Sequence, residues 1–263
     1  MSKTALIFGA SSGIGMESAK LFLKNGYTVY NAAREECPIG GVVSIETDVA
    51  NLPDIVYAVG ETVKNEGSLD VLVYSAGYSM AAPLEYAKQT DYRYLFEVNF
   101  FGFLEAVKAA APQMKKQGGG RIVAISSIGA VLPIPFDGFY SASKAALNAM
   151  VRELNLEFQP YNIRLVSVMP GGTKTGFTME RNVYSDEDAG YYAERLNSAV
   201  RTLAKTEQHG MNPARVAKTV YRAATKDVNS LISSGGINKL YHMGSRLLPL
   251  NATDAGIASK YFQ

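Results

Sequence analysis

The chain has 263 residues, of which 47% are apolar and 19% charged, a balance that excludes an intrinsically disordered protein. Its formal net charge of +2 gives no electrostatic case for nucleic acid or an anionic membrane surface as a partner. One cysteine, Cys37, excludes an internal disulfide framework, and two distant histidines, His209 and His242, argue against a transition-metal site.

The apolar run at the N-terminus is too short for a signal peptide, and no stretch reaches the roughly 18 apolar residues of an integral membrane span. With no repeat, low-complexity tract or linker, residues 1–263 are expected to form a single domain, cytoplasmic and soluble. Residues 3–8 read as a buried parallel strand that runs into Gly9-Ala10-Ser11-Ser12-Gly13-Ile14-Gly15. A helix over residues 16–25 follows. Strand, glycine turn and helix together place a pyrophosphate on exposed backbone N–H groups at a helix N-terminus. The glycines are needed where the backbone turns tightly, approaches phosphate, or seats the helix on the strand.

Residues 27–33 read as a second strand, followed by Arg34. In a dinucleotide fold this strand end lies beside the adenosine ribose, where an Arg holds a 2′-phosphate and a carboxylate binds a 2′-hydroxyl. Arg34 therefore favours NADP(H); Glu35 and Glu36, about 20 residues beyond the glycines, keep NAD(H) as the alternative. A third strand over residues 42–45 ends near Asp48-Val49, where a carboxylate can accept from the adenine amino group. Residues 52–66 read as a helix and 70–74 as a strand entering Ser75-Ala76-Gly77, small residues that let a flat ring approach the backbone. Strands alternating with helices predict an α/β fold, a mostly parallel, doubly wound sheet with helices on both faces.

Residues 92–117 carry one long helical pattern with Asn99 near its middle. Asn is a poor interior helix residue, and either a locally satisfied side chain or a distortion that holds a water is expected there. A β-branched run beginning at Gly120 ends in Ser126-Ser127. The helix over residues 140–158 places Tyr140 and Lys144 on one face, four residues apart. That helix is apolar nearly all round, so one side is expected on the sheet and the other against a second subunit or the protein's own loops. A sixth strand over residues 161–169 breaks at Pro170-Gly171, and Thr173 and Thr175 follow. Residues 173–213 read as a lid over a ligand, 213–225 as a helix and 231–233 as a last short strand, with an apolar tail over 236–263. Met80, Phe136, Phe139, Phe177, Met179 and Tyr184 are the expected pocket side chains.

These motifs, in this order, resemble the short-chain dehydrogenase/reductase family in its single-domain Rossmann form, over roughly residues 3–235. The matching positions are Gly9, Gly13 and Gly15; Asp48-Val49; Asn99; Ser127 with Tyr140-x-x-x-Lys144; and Pro170-Gly171 with Thr175. One departure stands out: the family's Asn-Asn-Ala-Gly is here Tyr74-Ser75-Ala76-Gly77, which loses two amides. The resemblance implies a catalytic set of Asn99, Ser127, Tyr140 and Lys144. It also implies a cofactor site formed by Gly9, Ser11, Ser12, Gly13, Ile14, Gly15, Arg34, Asp48, Val49, Ala76, Gly77, Tyr140, Lys144, Pro170, Gly171, Thr173 and Thr175.

By this resemblance the protein is expected to reduce a ketone or aldehyde reversibly with NADPH. Tyr140 would donate the proton, Lys144 lower its pKa and bind ribose, Ser127 polarise the carbonyl and Asn99 hold a relay water. The implied partners are a small carbonyl or alcohol substrate, apolar or aromatic, and further copies of the chain in a homodimer or homotetramer. An NAD-dependent alcohol dehydrogenase and an inactive dinucleotide-sensing regulator are the competing readings. The regulator is disfavoured because both Tyr140 and Lys144 are present.

Overall fold

Alternate side chains of β1 (Thr4–Phe8) leave the strand on opposite faces: Leu6 and Phe8 join one apolar cluster, Ala5 and Ile7 another. A strand buried on both faces needs helices on both, and the remaining chain supplies them. The computed structural model describes residues 2–262. After β1 come α1 (Gly13–Lys24), β2 (Thr28–Ala33), β3 (Val42–Glu46), α2 (Leu52–Glu66), β4 (Val71–Tyr74), β5 (Met80–Ala81), α3 (Gln89–Phe96), α4 (Gly102–Lys116) and β6 (Gly120–Ile125). Then follow α5 (Gly138–Glu157), β7 (Ile163–Met169), β8 (Asn182–Val183), α6 (Asp186–Ala189), α7 (Ala193–Gln208), α8 (Pro213–Thr225), β9 (Leu231–Ser233), α9 (Gly236–Leu247) and α10 (Leu250–Tyr261).

Seven strands form one parallel sheet in the order β3-β2-β1-β4-β6-β7-β9. Chain order reverses between β1 and β4, and a crevice opens at such a switch point beyond the strands' carboxyl ends. Helices α2, α4 and α5 cover one face through Ile55, Val59, Phe103 and Leu147. On the other face, α1 and α8 contribute Ala19, Phe22, Val216 and Val220.

Several expected boundaries move for local reasons. Helix α1 begins at Gly13 rather than residue 16, because Ser12 is its N-cap and the glycine turn is already part of the first helical turn. Residues 92–117 are not one uninterrupted α-helix: a π turn over Glu97–Phe101, centred on Asn99, separates α3 from α4. Strand β7 starts at Ile163, since Gln159–Tyr161 forms a 3-10 turn and Asn162 sits left-handed at φ +54°. Along α5 the face away from the sheet is exposed at Ala142, Ala145 and Ala149, and Leu156 is 67% exposed.

The segment expected as a lid is largely regular, with α7 burying Leu196, Ala199 and Leu203. The tail forms α9 and α10. Among the described residues no helix is long and apolar enough to cross a membrane.

Candidate active site

The glycine turn is held by contacts only glycine permits. Gly9 has φ +85°, and a Cβ on it would lie 2.9 Å from the Ala76 nitrogen; a Cβ on Gly15 would collide with the Gly9 carbonyl. Helix α1 is thus seated on β1 by the bare backbone of Gly15. Asn31, buried in β2, finishes the turn: its Oδ1 accepts from the Ala10 N–H at 2.9 Å, and its Nδ2 donates to the Glu35 carbonyl at 3.0 Å. One side chain therefore ties the pyrophosphate turn to the Arg34–Glu36 loop. The sequence reading missed it, although a lone Asn inside an apolar strand was the available signal.

Next to that turn lies a cavity of about 570 Å³. Ser12, Gly13 and Ile14 border it on one side, and Ser127, Tyr140 and Lys144 on another. Gly77, Pro170, Gly171, Thr173 and Thr175 also reach it, whereas Gly9, Ser11, Gly15 and Ala76 stand behind the lining. Arg34, Asp48 and Val49 follow β2 and β3, at the far end of the strand order, and do not border the cavity. Asp48 is held locally, accepting from the Ala50 N–H at 2.9 Å.

The ends of β4, β6 and β7 converge around Lys144. Its Nζ donates to the Ile125 carbonyl at 3.0 Å, and burial pulls its pKa down to about 8. A Cβ on Gly77 would lie 3.2 Å from that Nζ and 2.8 Å from Asn99 Oδ1, so glycine is required for β4's exit to pass the pair. Asn99 is fully buried. Its amide bonds the Tyr78 backbone, and Nδ2 also donates to Ser143 Oγ at 3.2 Å.

The Tyr140 ring centroid is 5.7 Å from Lys144 Nζ. Lys144 was expected to draw the phenol pKa down, yet in the polypeptide burial raises it, the Asp137 charge adds to the rise, and the Ser127 hydroxyl works the other way. Ser127 Oγ accepts from the Gly129 N–H at 3.0 Å. Neighbouring Ser126 donates its hydroxyl to the Lys144 carbonyl at 3.2 Å, which commits it to the start of α5.

Tyr74, the departure from the family pattern, is fully buried between the rings of Phe8 and Phe103 and donates to the Val98 carbonyl at 2.6 Å. The phenol thus braces the residue before Asn99 from inside the core. On Gly102 a Cβ would press on the Tyr74 hydroxyl and lie 2.5 Å from the Val49 carbonyl, so the small residue three places after Asn99 makes room for that brace.

The substrate wall differs from expectation. Of the six side chains named from sequence only Phe177 borders the cavity. Met80 and Tyr184 pack in a separate core around the small β5–β8 sheet, with Phe136 and Phe139 against it, and Met179 is 86% exposed. The apolar wall comes instead from the segment after β6, through Ile128, Leu132 and Ile134, and from α7 and the tail, through Leu203, Leu240, Leu248 and Ile257. Sequence also gave no sign of Asp137, Arg181 and Glu207, buried charged residues that line the cavity beside Tyr140.

A nicotinamide dinucleotide fits what is present. The bare glycine backbone at the N-terminus of α1 suits a pyrophosphate. The missing Cβ of Gly13, which would meet Thr175 Cγ2 at 3.3 Å, and that of Gly77 leave a flat-walled approach to Lys144 and Tyr140. A parallel sheet with this turn at its switch point and a serine, tyrosine and lysine at its carboxyl edge defines a nicotinamide-dependent oxidoreductase.

The chain belongs to the short chain dehydrogenase family, whose model matches residues 3–186. It is 35% identical over 226 residues to a 3-ketodihydrosphingosine reductase of Bacteroides thetaiotaomicron, an alignment covering 84% of this chain and 83% of that protein. It is 33% identical over 190 residues to the NADPH-dependent 1-acyldihydroxyacetone phosphate reductase of Saccharomyces cerevisiae, covering 68% of this chain and 64% of the relative. Among solved structures, a short-chain dehydrogenase from Streptomyces avermitilis superposes with a TM-score of 0.82 at 26% identity, over 98% of this chain and 96% of that one.

Proposed function

We propose that this protein is an NADPH-dependent carbonyl reductase acting on a ketone or aldehyde that carries a substantial apolar group, with alcohol oxidation as its reverse. The observation that carries this reading is the meeting of Ser127, Tyr140 and Lys144 at one side of a cavity whose far wall is apolar. Both enzymes named above are called reductases, and both names denote a ketone.

When bound, the reduced nicotinamide supplies the hydride. Tyr140 gives its phenolic proton to the carbonyl oxygen as the alcohol forms. Ser127 donates a hydrogen bond to that oxygen and stabilises its developing charge. Lys144, held by the Ile125 carbonyl, places a cation behind Tyr140 and toward the cofactor ribose. The Asn99 amide is spent on protein groups, so a relay water at the π turn is held by the main chain that the turn loosens. Arg34, exposed after β2, supports NADPH over NADH. The alanine strip of α5 is the face assigned to a homodimer or homotetramer.

A panel of long-chain and aromatic carbonyl compounds, read by NADPH oxidation, tests this function. Turnover should fall at least about a hundredfold in Tyr140→Phe with NADPH binding retained. Undiminished turnover in that variant would overturn the assignment.

A further inference from the structure

The cavity has two characters. Its far wall is apolar, whereas the end beside Tyr140 holds Asp137, Arg181 and Glu207, all buried. Arg181 donates through Nη2 to Glu207 Oε1 at 2.6 Å and through Nε to Ser79 Oγ at 3.0 Å. Ser79 donates in turn to Asp137 Oδ1, and Thr178 donates to Glu207 Oε2, each at 2.6 Å.

Arg181 is therefore paired with Glu207, and among the described residues no ion pair involves Asp137. Asp137 is 2% exposed. A buried carboxylate without a cation costs several kcal/mol when ionised, a cost that a cationic ligand would remove. The usual structural use is also missing: Asp137 is the N-cap of α5, yet its side chain makes no capping bond. The nearby cations do not answer it. Lys144 is bonded to the Ile125 carbonyl, and Lys260 and the acidic Glu180 stand at the exposed part of the lining.

We propose that Asp137, with Glu207 behind it, receives a protonated amine on the carbon next to the substrate carbonyl, so that the substrates are long-chain α-amino ketones. This rests on the carbonyl-reductase reading above. Asp137 is the N-cap of α5 and Tyr140 stands three residues on, near enough for the carboxylate's charge to bear on the phenol. A carbonyl held by Tyr140 thus puts its adjacent carbon beside the carboxylate, while the alkyl chain runs along Leu240 and Leu248. A phosphate is disfavoured, because Arg181 is already satisfied and an anion would meet both carboxylates.

The test is calorimetric and uses the full chain with saturating NADPH, which cannot oxidise the alcohol titrants. Three titrants share a decyl chain: a vicinal amino alcohol, the same alcohol without its amine, and its phosphate ester. The amino alcohol should bind at least about tenfold tighter than either other compound at neutral pH, and Asp137→Asn should bring the preference over the amine-free alcohol below about threefold. Glu207→Gln provides a second variant, with NADPH binding as the check on folding. Equal binding of amine and amine-free alcohol by the wild type, tighter binding of the phosphate ester, or a preference unchanged in a folded Asp137→Asn protein would each overturn the proposal. NADPH oxidation with the matching ketones is read separately. Failure to turn over any ketone would sink the reductase reading, while the binding preference still decides the amine site.

Discussion

Asn99 gives both ends of its amide to Tyr78: Oδ1 accepts from the Tyr78 N–H at 3.0 Å and Nδ2 donates to the Tyr78 carbonyl at 2.9 Å. The pairing clamps the loop after β4 to the π turn and fixes Gly77 against Lys144. Asn99→Leu leaves two backbone groups unpaired at a buried position and should cost about 2–4 kcal/mol. Urea unfolding should show a lower midpoint, and NADPH oxidation a kcat reduced by about tenfold or more. An unchanged midpoint would mean that the clamp does not bear on stability.

The fit at Gly15 leaves no room for a methyl group, since its Cβ would land on the Gly9 carbonyl. Gly15→Ala must push α1 away from β1, at a cost of about 1–3 kcal/mol. Because the same turn receives the pyrophosphate, NADPH affinity should fall together with stability. Fluorescence titration of NADPH beside a denaturation curve checks that the two losses coincide.

Asp137 makes stability depend on pH in a stated direction. Burial raises its pKa from 3.8 to about 7, so between those values the folded state holds a proton that the unfolded state has released. Its contribution to stability is therefore present at acid pH and lost as pH rises through about 7. The ionised form costs on the order of 4 kcal/mol at most. Asp137→Asn should be more stable than the wild type at pH about 8, by roughly 1–3 kcal/mol, with the gain vanishing near pH about 5. Urea midpoints at the two pH values decide it.

Burial moves the Lys144 pKa in the opposite direction. Its pKa is lowered by burial to about 8, so NADPH affinity should weaken as pH rises through about 8 and the ammonium is lost. Lys144→Met should bind NADPH weakly with no such limb. A pH series of NADPH dissociation constants shows whether the limb belongs to this residue.

Arg34 carries the cofactor preference in the proposed reading. Arg34→Ala should lower kcat/KM with NADPH by about tenfold or more and leave NADH use within about threefold, which corresponds to losing one charge-assisted phosphate contact. Parallel assays with the two cofactors test it, and an unchanged preference would move the discrimination elsewhere.

What was legible in the sequence was local. The glycine turn, Tyr140 with Lys144 one helical turn on, and the small residues after β4 each lie within a few positions of one another. Backbone periodicity alone places them at strand ends and on helix faces. The acidic end of the cavity was not legible, because Ser79 meets Asp137 across 58 positions and Arg181 across 102. No spacing rule connects such residues. The aromatic pocket failed for a related reason: Met80 and Tyr184 have the side chains of a ligand wall but are consumed in the small core around β5 and β8. For Asn99 the sequence left two readings open, and the structure shows a side chain satisfied by Tyr78 and Ser143 within a π turn.

Leu203, Leu240, Leu248 and Ile257 of the apolar wall lie beyond residue 186, where the family match stops, whereas Ile128, Leu132 and Ile134 lie before it. The proton-transfer residues therefore all lie in the matched part, while the substrate wall is divided between the two parts of the chain. Lineages sharing the first part can diverge in diet by redrafting the second, without disturbing Ser127, Tyr140 or Lys144. A chimera that exchanges only the part after residue 186 would take its donor's surface along the alkyl chain and keep its host's chemistry and its Asp137.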